Sequence, residues 1–366
     1  MAARSDRTLA RCLVDTDPLR LEVIARSWLE LGSEDPLPER AELLAALRAR
    51  MSDPETLRRV WDSLSPQEQE ALSRLQALGG TMAWLTFVRR WGEVRPMGPG
   101  RMMRERPWES PISVAEALWY RGLVFRTVVE GPTGFYDAAI IPEELGALLP
   151  APSDSPLRLE PIPSPPSPPV PSDAFLDDFC TYLAHLQVYP RRSLREEDNE
   201  GPNARLRPYL RDADPGRLRL LRHLLGRLGW LRPDRLGYLR LIPEPVTEWL
   251  KAPPPRQRLI LAEAWREDPT WNDLQQVPTL HLEKTGAWRN DPLLARKAIL
   301  NHLRACRLGE WYSVPGFIAA VKEADPDFQR PDGNYNRWYI RSTVTGEYLS
   351  GFEHWDDVEG ALIRYL

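Results

Sequence analysis

Cysteine is scarce in this chain. Cys12, Cys180 and Cys306 are an odd number and lie far apart in sequence, which excludes a disulfide framework and fits a reducing cytoplasm. Long apolar runs are missing: no stretch approaches ~18 consecutive apolar residues, so no membrane span is expected. The opening MAARSDRTLARCLVDTD has no apolar core, so no signal peptide is expected. Lysine is almost absent, with Lys251, Lys284, Lys297 and Lys322 the only four among 48 basic residues. A GC-rich coding sequence accounts for that bias. That is the favoured explanation; many bidentate contacts to phosphate or carboxylate, which suit arginine's planar fork, are the functional alternative, and composition does not separate the two. Net charge is only −4, so any pull on nucleic acid must come from local patches.

The motifs of common chemistries are also missing. The one Lys-Thr pair, Lys284-Thr285, has no glycine at the upstream spacing of a phosphate loop. There is no G-x-G-x-x-G after a strand, no G-x-S-x-G elbow, no C-x-x-C and no H-E-x-x-H. His302 and Cys306 stand four apart on one helix, without a third ligand. Asp325, Asp327, Asp332, Asn334 and Asn336 cluster, but the glycine is misplaced for a calcium loop and no glutamate closes it; they read as a polar turn. No cofactor, no metal and no small-molecule substrate are therefore expected.

What is present is a pattern that occurs twice. Residues 120–149 (YRGLVFRTVVEGPTGFYDAAIIPEELGALL) and 228–250 (LGWLRPDRLGYLRLIPEPVTEWL) share one plan. A helix-like stretch runs into glycine and an apolar pair (Gly122-Leu123, Gly229-Trp230). A strand, a turn and a second strand ending in Ile-Pro-Glu follow, then a short helix. A helix feeding a hairpin is how a winged helix closes its three-helix core. Mainly helical, tandem winged-helix-like units with short antiparallel β-hairpins are the predicted fold.

The boundaries follow from composition. Residues 1–50 read as an N-terminal helical extension, helical over 18–50. Residues 51–149 read as a first unit, with helices at Glu55–Leu64, from Ser65-Pro66 to Leu78, at Thr81–Trp91 and at Ile112–Tyr120. Ser65 with Glu68 is a capping-box signature, and Gly79-Gly80 a stop. Residues 150–173 hold ten prolines and read as an extended spacer. Residues 174–252 form the second unit, with helices at Ala174–Val188, Arg205–Arg211 and Pro215–Leu228 and a polar loop at Arg191–Asn203. Residues 253–366 form a third, aromatic-rich unit: a helix from Pro292 to Cys306, a strand at Glu310–Ser313, a helix at Pro315–Ala324, a hairpin of 338–343 and 347–352, and a closing helix from His354. The chain stops inside an apolar helix, as a piece of a longer protein would.

Two basic clusters carry the functional expectation. Arg89, Arg90, Arg95, Arg101, Arg104 and Arg106 stand against Glu93 and Glu105, and 191–240 holds thirteen arginines against seven acids. In a winged helix the helix before the wing enters the major groove and the wing touches phosphate. The expected DNA contacts are Arg89, Arg90, Arg101, Arg104, Arg191, Arg192, Arg217, Arg219, Arg222 and Arg235. The competing reading pairs these arginines with Glu196, Glu197, Asp212 and Asp214 on a solvated face. Among the aromatics, Trp311, Phe317, Tyr339 and Trp355 are expected in a core. Trp271, Trp288 and Arg289 are expected to be exposed for base stacking or a partner.

The third segment also resembles a known family. DPTWNDL (268–274), WRNDPLLAR (288–296), GEWYSV (309–314), VKEADPDFQRPDGNY (321–335), WYIR (338–341), GEYLSGFE (346–353) and WDDVEGALIR (355–364), with RGLVFR and IPEEL upstream, resemble bacterial XPB-type helicase-associated proteins. The resemblance spans about 55–366. It implies winged-helix-like units without a motor, ahead of a missing domain, and transfers no catalytic residue. The reading is a non-enzymatic, cytoplasmic accessory protein that binds DNA and a helicase or other machine. A scaffold whose winged helices touch only protein is the alternative, and a hydrolase with an unrecognised site is a third class.

Overall fold

The computed structural model describes residues 7–32, 34–132, 134–151, 157–167, 172–194, 205–283 and 288–366. Glu196, Glu197, Lys284, Thr285, Thr133, most of the Arg191–Asn203 loop and parts of the proline-rich stretch lie outside them. The chain is mainly helical with short antiparallel strand pairs, and its contacts define two compact units. The first joins residues 1–158 to 320–337, and the second joins 159–319 to 338–366. The expected third unit is thus divided between the other two.

In the first unit, α1 (Leu9–Val14), α2 (Pro18–Trp28) and α3 (Arg40–Met51) precede α4 (Pro54–Ser63) and α5 (Pro66–Ala77). The helix expected over 18–50 breaks between α2 and α3, where Glu30 takes a positive φ of 57° and Pro36 and Pro38 interrupt the ladder. At the start of α5 the capping box closes reciprocally: Ser65 N donates to Glu68 Oε2 (2.7 Å), and Glu68 N donates to Ser65 Oγ (3.3 Å). Gly79 and Gly80 adopt the positive φ that ends this helix. The next segment begins as a strand rather than a helix, β1 (Thr81–Ala83), followed by α6 (Trp84–Trp91), α7 (Pro99–Glu105) and α8 (Val114–Tyr120). A hairpin of two seven-residue strands follows, β2 (Phe125–Gly131) with β3 (Gly134–Ile140), and β1 pairs antiparallel with β3, giving the order β1-β3-β2. A three-residue strand is too short for its period to show in sequence.

The N-terminal extension is part of this core. Leu9, Leu13, Ile24, Leu47 and Met51 are fully or nearly fully buried in the cluster that holds Leu72, Leu75, Phe87, Leu118 and Ile140. Burying such side chains stabilises by roughly 1.5–3 kcal/mol each. A buried ion pair ties the loop after α6 to α8. Glu116, fully buried, accepts from Arg95 N (3.0 Å), Arg95 Nε (2.9 Å), Arg95 Nη2 (2.7 Å) and Ile112 N (2.9 Å).

In the second unit, α9 (Ala174–Val188) packs with α10 (Pro215–Leu228), the hairpin β4 (Leu231–Pro233) with β5 (Leu239–Leu241), α11 (Pro243–Lys251) and α12 (Pro254–Arg266). The helix expected at Arg205–Arg211 is only a 3-10 turn at Arg207–Tyr209. Phe179, Trp230 and Trp249 form the aromatic centre, with Phe179 edge-on to Trp249 at 5.1 Å. The proline-rich stretch is not wholly free: Ile162 N donates to Trp311 O (2.7 Å). The expected 338–343/347–352 hairpin is reduced to a turn with one isolated bridge, Arg341 to Tyr348. Its first strand, β6 (Ile340–Ser342), instead pairs with Leu280–Leu282, because a partner 58 residues upstream buries Ile340 and Leu280 together. Trp355 and Phe317 are buried as expected; Trp311 is half-buried and Tyr339 is exposed, a correction to its place in the core. The closing helix is a π turn, Asp356–Gly360, running into Ala361–Tyr365.

Burial pushes the Glu116 carboxyl up, but its bonds from Arg95 and Ile112 outweigh that and hold it below the ordinary value of 4.5. A depressed folded pKa contributes stability that is present above the unfolded pKa and lost as pH falls through the folded one. The first unit should therefore lose stability on acidification below about pH 4.5, and Glu116→Gln should flatten that part of the curve in urea titrations at pH 3–6.

Candidate functional site

The two hairpins and the arginines around them are the region on which sequence placed nucleic-acid contact. The helix before the first hairpin, α8, is covered by its own unit. Arg20 on α2 donates from Nε (3.2 Å) and Nη2 (2.9 Å) to Trp119 O, and its guanidinium carbon lies 3.4 Å from the Trp119 ring centre. Trp28 Nε1 donates to Arg121 O (2.8 Å). Gly122, at φ 69°, leaves room for Ile24, whose Cγ2 would stand 3.0 Å from an added Cβ. No residue of α8 is exposed.

The helix before the second hairpin, α10, is covered in the same way. Arg222 is buried. Arg219 Nε donates to Gln276 Oε1 (3.1 Å), and Arg217 Nε stands 2.9 Å from the buried Asp178 carboxylate, with the Phe175 ring 5.3 Å from its guanidinium. His223 Nε2 lies 2.5 Å from Asp268 Oδ2 and packs on Trp271 at 4.8 Å. Burial pushes the Asp268 carboxyl up, yet hydrogen bonds from Thr270 and His223 overcome it and hold the pKa low. Only Pro215 and the last turn, Gly226 and Arg227, are exposed.

The other expected contacts divide between occupied and open. Arg89 pairs with Asp327 (2.9 Å), which also accepts from Thr86 Oγ1 and Tyr335 Oη. Arg90 pairs with Glu323, and Arg191 is buried with its carbonyl accepting from Leu239 N (2.6 Å). Burying a guanidinium with its own acceptors removes it from phosphate. Of the expected groove contacts, Arg191 and Arg222 are therefore corrected to buried residues, while Arg89, Arg90, Arg217 and Arg219 are half-buried and engage acceptors of their own unit. Arg101 is exposed on α7 and pairs with Glu105 (2.6 Å); Arg104 is exposed beside it. Arg192 lies 4.9 Å over Tyr238, and Arg235 is exposed at the β4–β5 turn with Arg232.

Trp271, expected at the surface, is buried, and Trp288 stacks on Trp338 at 5.6 Å; Arg289 is exposed. The Asp325–Asn336 cluster is consumed internally: Asp327 as above, Asp332 accepting from Asn334 N (3.2 Å) and Arg337 Nη1 (3.1 Å). Among the described residues, no group of three or more His, Cys, Asp or Glu side chains could hold a metal. No helix there is long and apolar enough to cross a membrane.

Sequence reasoning missed the large apolar side chains that each hairpin leaves bare. Phe135 beside the β2–β3 turn is 74% exposed and Leu236 in the β4–β5 turn 72%. Val128 shares the outer face of the first hairpin, across the pair from Asp137. The available signal was a bulky apolar residue beside a turn glycine, in Gly134-Phe135 and Leu236-Gly237. No protein-family model matches the chain, and neither curated proteins nor solved structures yield a match.

Two charge reversals separate internal ties from open cations. Arg222→Glu, which buries a carboxylate, should lower the stability of the second unit by about 3–5 kcal/mol, whereas Arg235→Glu should stay within about 0.5 kcal/mol. Thermal unfolding followed by tryptophan fluorescence reads both.

Proposed function

We propose that this chain is a non-catalytic docking protein of winged-helix type, whose hairpins rather than helices engage another protein of a DNA-processing machine. The first unit supports the fold assignment. A helix (α5), a strand, two core helices (α6 and α8) and a hairpin follow one another in winged-helix order, with β1 on the free edge of β3. The second unit supports it less fully, by helix, hairpin and closing helix.

The covering of α8 and α10 carries the reading. A helix enters the major groove by its outer face, and here that face lies under residues of the same unit. The bare Phe135 and Leu236 fit protein contact, where apolar anchors at a rim of charge do the work. The likeness of the third segment to XPB-type helicase-associated proteins makes a helicase or a related motor the class of partner. A second reading keeps DNA: exposed Arg101, Arg104, Arg232 and Arg235 support sequence-independent phosphate contact by loop and hairpin.

A photo-crosslinking residue placed at 135, and separately at 236, decides between them. Discrete adducts with a nucleotide-hydrolysing protein are expected. Adducts to DNA, with a duplex shift at low salt that Arg232→Glu plus Arg235→Glu abolishes, would establish the second reading instead.

A further inference from the structure

Independent of the docking surface, the first unit has a small cleft between the α1–α2 turn and β2. It measures about 140 Å³ and is lined by Arg11, Asp15, Asp17, Arg20, Arg126 and Thr127, among others. Arg20 forms its floor. Its side chain is almost wholly buried, at 5% exposure. One face of the guanidinium lies on Trp119, and the Phe125 ring centre is 4.8 Å away. Nε and Nη2 are spent on backbone carbonyls, Nη2 reaching both Trp119 O (2.9 Å) and Val124 O (2.9 Å).

Nη1 is different. Among the described residues it donates to no acceptor, and no carboxylate pairs with Arg20. Nor does Nη1 belong to the fully enclosed polar atoms that lack a partner, and Arg20 is among the residues that line the cleft. The two acids in the lining are occupied. Asp15 pairs with Arg11 at 2.8 Å, and Asp17 caps α2 by accepting from Leu19 N (2.9 Å) and Arg20 N (3.3 Å). Arg126 stands at the mouth, paired with Asp137. Thr127 beside it makes no hydrogen bond through its hydroxyl among the described residues.

The carbonyl dipoles, the Trp119 and Phe125 rings and the charge of Asp17 all favour the buried cation, but no carboxylate forms an ion pair with it, so an anion in the cleft would stabilise it further. Burial pushes the Arg20 guanidinium down to about 9, which still leaves it charged at neutral pH. The volume is small beside the roughly 300–1,000 Å³ of drug-sized ligand sites, so the group must be compact. Arginine's N–H edges match the oxygens of a tetrahedral oxyanion. We infer that this cleft is a binding site for a phosphate group, with Arg20 Nη1 as its principal donor and Thr127 as a second.

The probe is inorganic phosphate added to the purified full chain, with chloride at equal ionic strength as reference. Phosphate should raise Tm along a saturating curve and change the fluorescence of Trp119, which lies on the guanidinium. Arg20→Gln should remove the saturating part. Should that variant not fold, Thr127→Glu, at the solvent-facing mouth, keeps the test decisive, because its carboxylate competes for the same donors and should weaken phosphate at least tenfold. Equal response to phosphate and chloride, or a Thr127→Glu curve that superimposes on the parent, would overturn the assignment. A short 5′-phosphorylated DNA strand distinguishes sources. Displacement of inorganic phosphate by that strand but not by its unphosphorylated twin marks a terminal phosphate as ligand. No displacement by either marks the free ion.

Discussion

Arg296 is the side chain around which the second unit is ordered. It is fully buried, and it donates to Asp273 Oδ2 from Nε (2.9 Å) and Nη2 (2.6 Å). Its remaining bonds go to the carbonyls of Trp265 (2.5 Å), Arg266 (3.4 Å), Asp268 (2.9 Å) and Trp271 (2.8 Å). These acceptors lie at the end of α12 and in the irregular segment after it. That segment has too little secondary structure to satisfy its own backbone, and the guanidinium supplies the missing donors. Asp273 holds the cation in place and also accepts from Trp265 Nε1 (3.0 Å). Without this fork, 268–276 would lose the geometry that sets Asp268 beside His223 and Gln276 beside Arg219.

The same device recurs in the first unit. Arg95 grips Glu116 and holds the loop between α6 and α8; Arg89, with Asp327, fastens Ala320–Arg337 to α6; Arg20 fastens α2 to the end of α8. Each position needs a planar group with several donors in fixed directions. A lysine ammonium offers three donors converging on one nitrogen and is more strongly hydrated, so it does not reach acceptors as far apart, or in directions as fixed, as the edges of a guanidinium. The shortage of lysine in this chain therefore coincides with a structural use of arginine, whatever the coding bias contributes. An internally paired arginine adds little to the outer field.

Local rules were readable in the sequence wherever a few adjacent residues decide the outcome. The Ser65–Glu68 capping box, the stop at Gly79-Gly80 and both hairpins, with Asp234 accepting from Leu236 N and Tyr238 N in the second turn, are of this kind. What was not readable is partnership at long range. Whether Arg222 faces solvent or protein depends on what covers α10, and a helix bearing arginines at 217, 219 and 222 looks open when seen alone. Trp271 was misplaced for the same reason: its loop is polar in sequence, but His223 packs against its ring. Tyr339 failed in the opposite direction, because the strand that pairs with its neighbour came from residues 280–282 and not from the segment following it.

Covering also sets how contact with another molecule can be made. α8 cannot be uncovered cheaply: freeing it would strip Arg20 of its two bonds to Trp119 O and Ile24 of its place over Gly122, at a cost on the order of several kcal/mol. An opening of that size removes the Kd gain that a few groove contacts supply, each worth about 1–3 kcal/mol. On the proposed role, contact would then fall to elements whose exposure costs nothing. Those are the hairpin tips, where Phe135 and Leu236 already face solvent, and the α7 loop with Arg101 and Arg104. On the proposed docking role, rigid helical cores that hold such tips in fixed geometry would reduce the ordering entropy lost on binding.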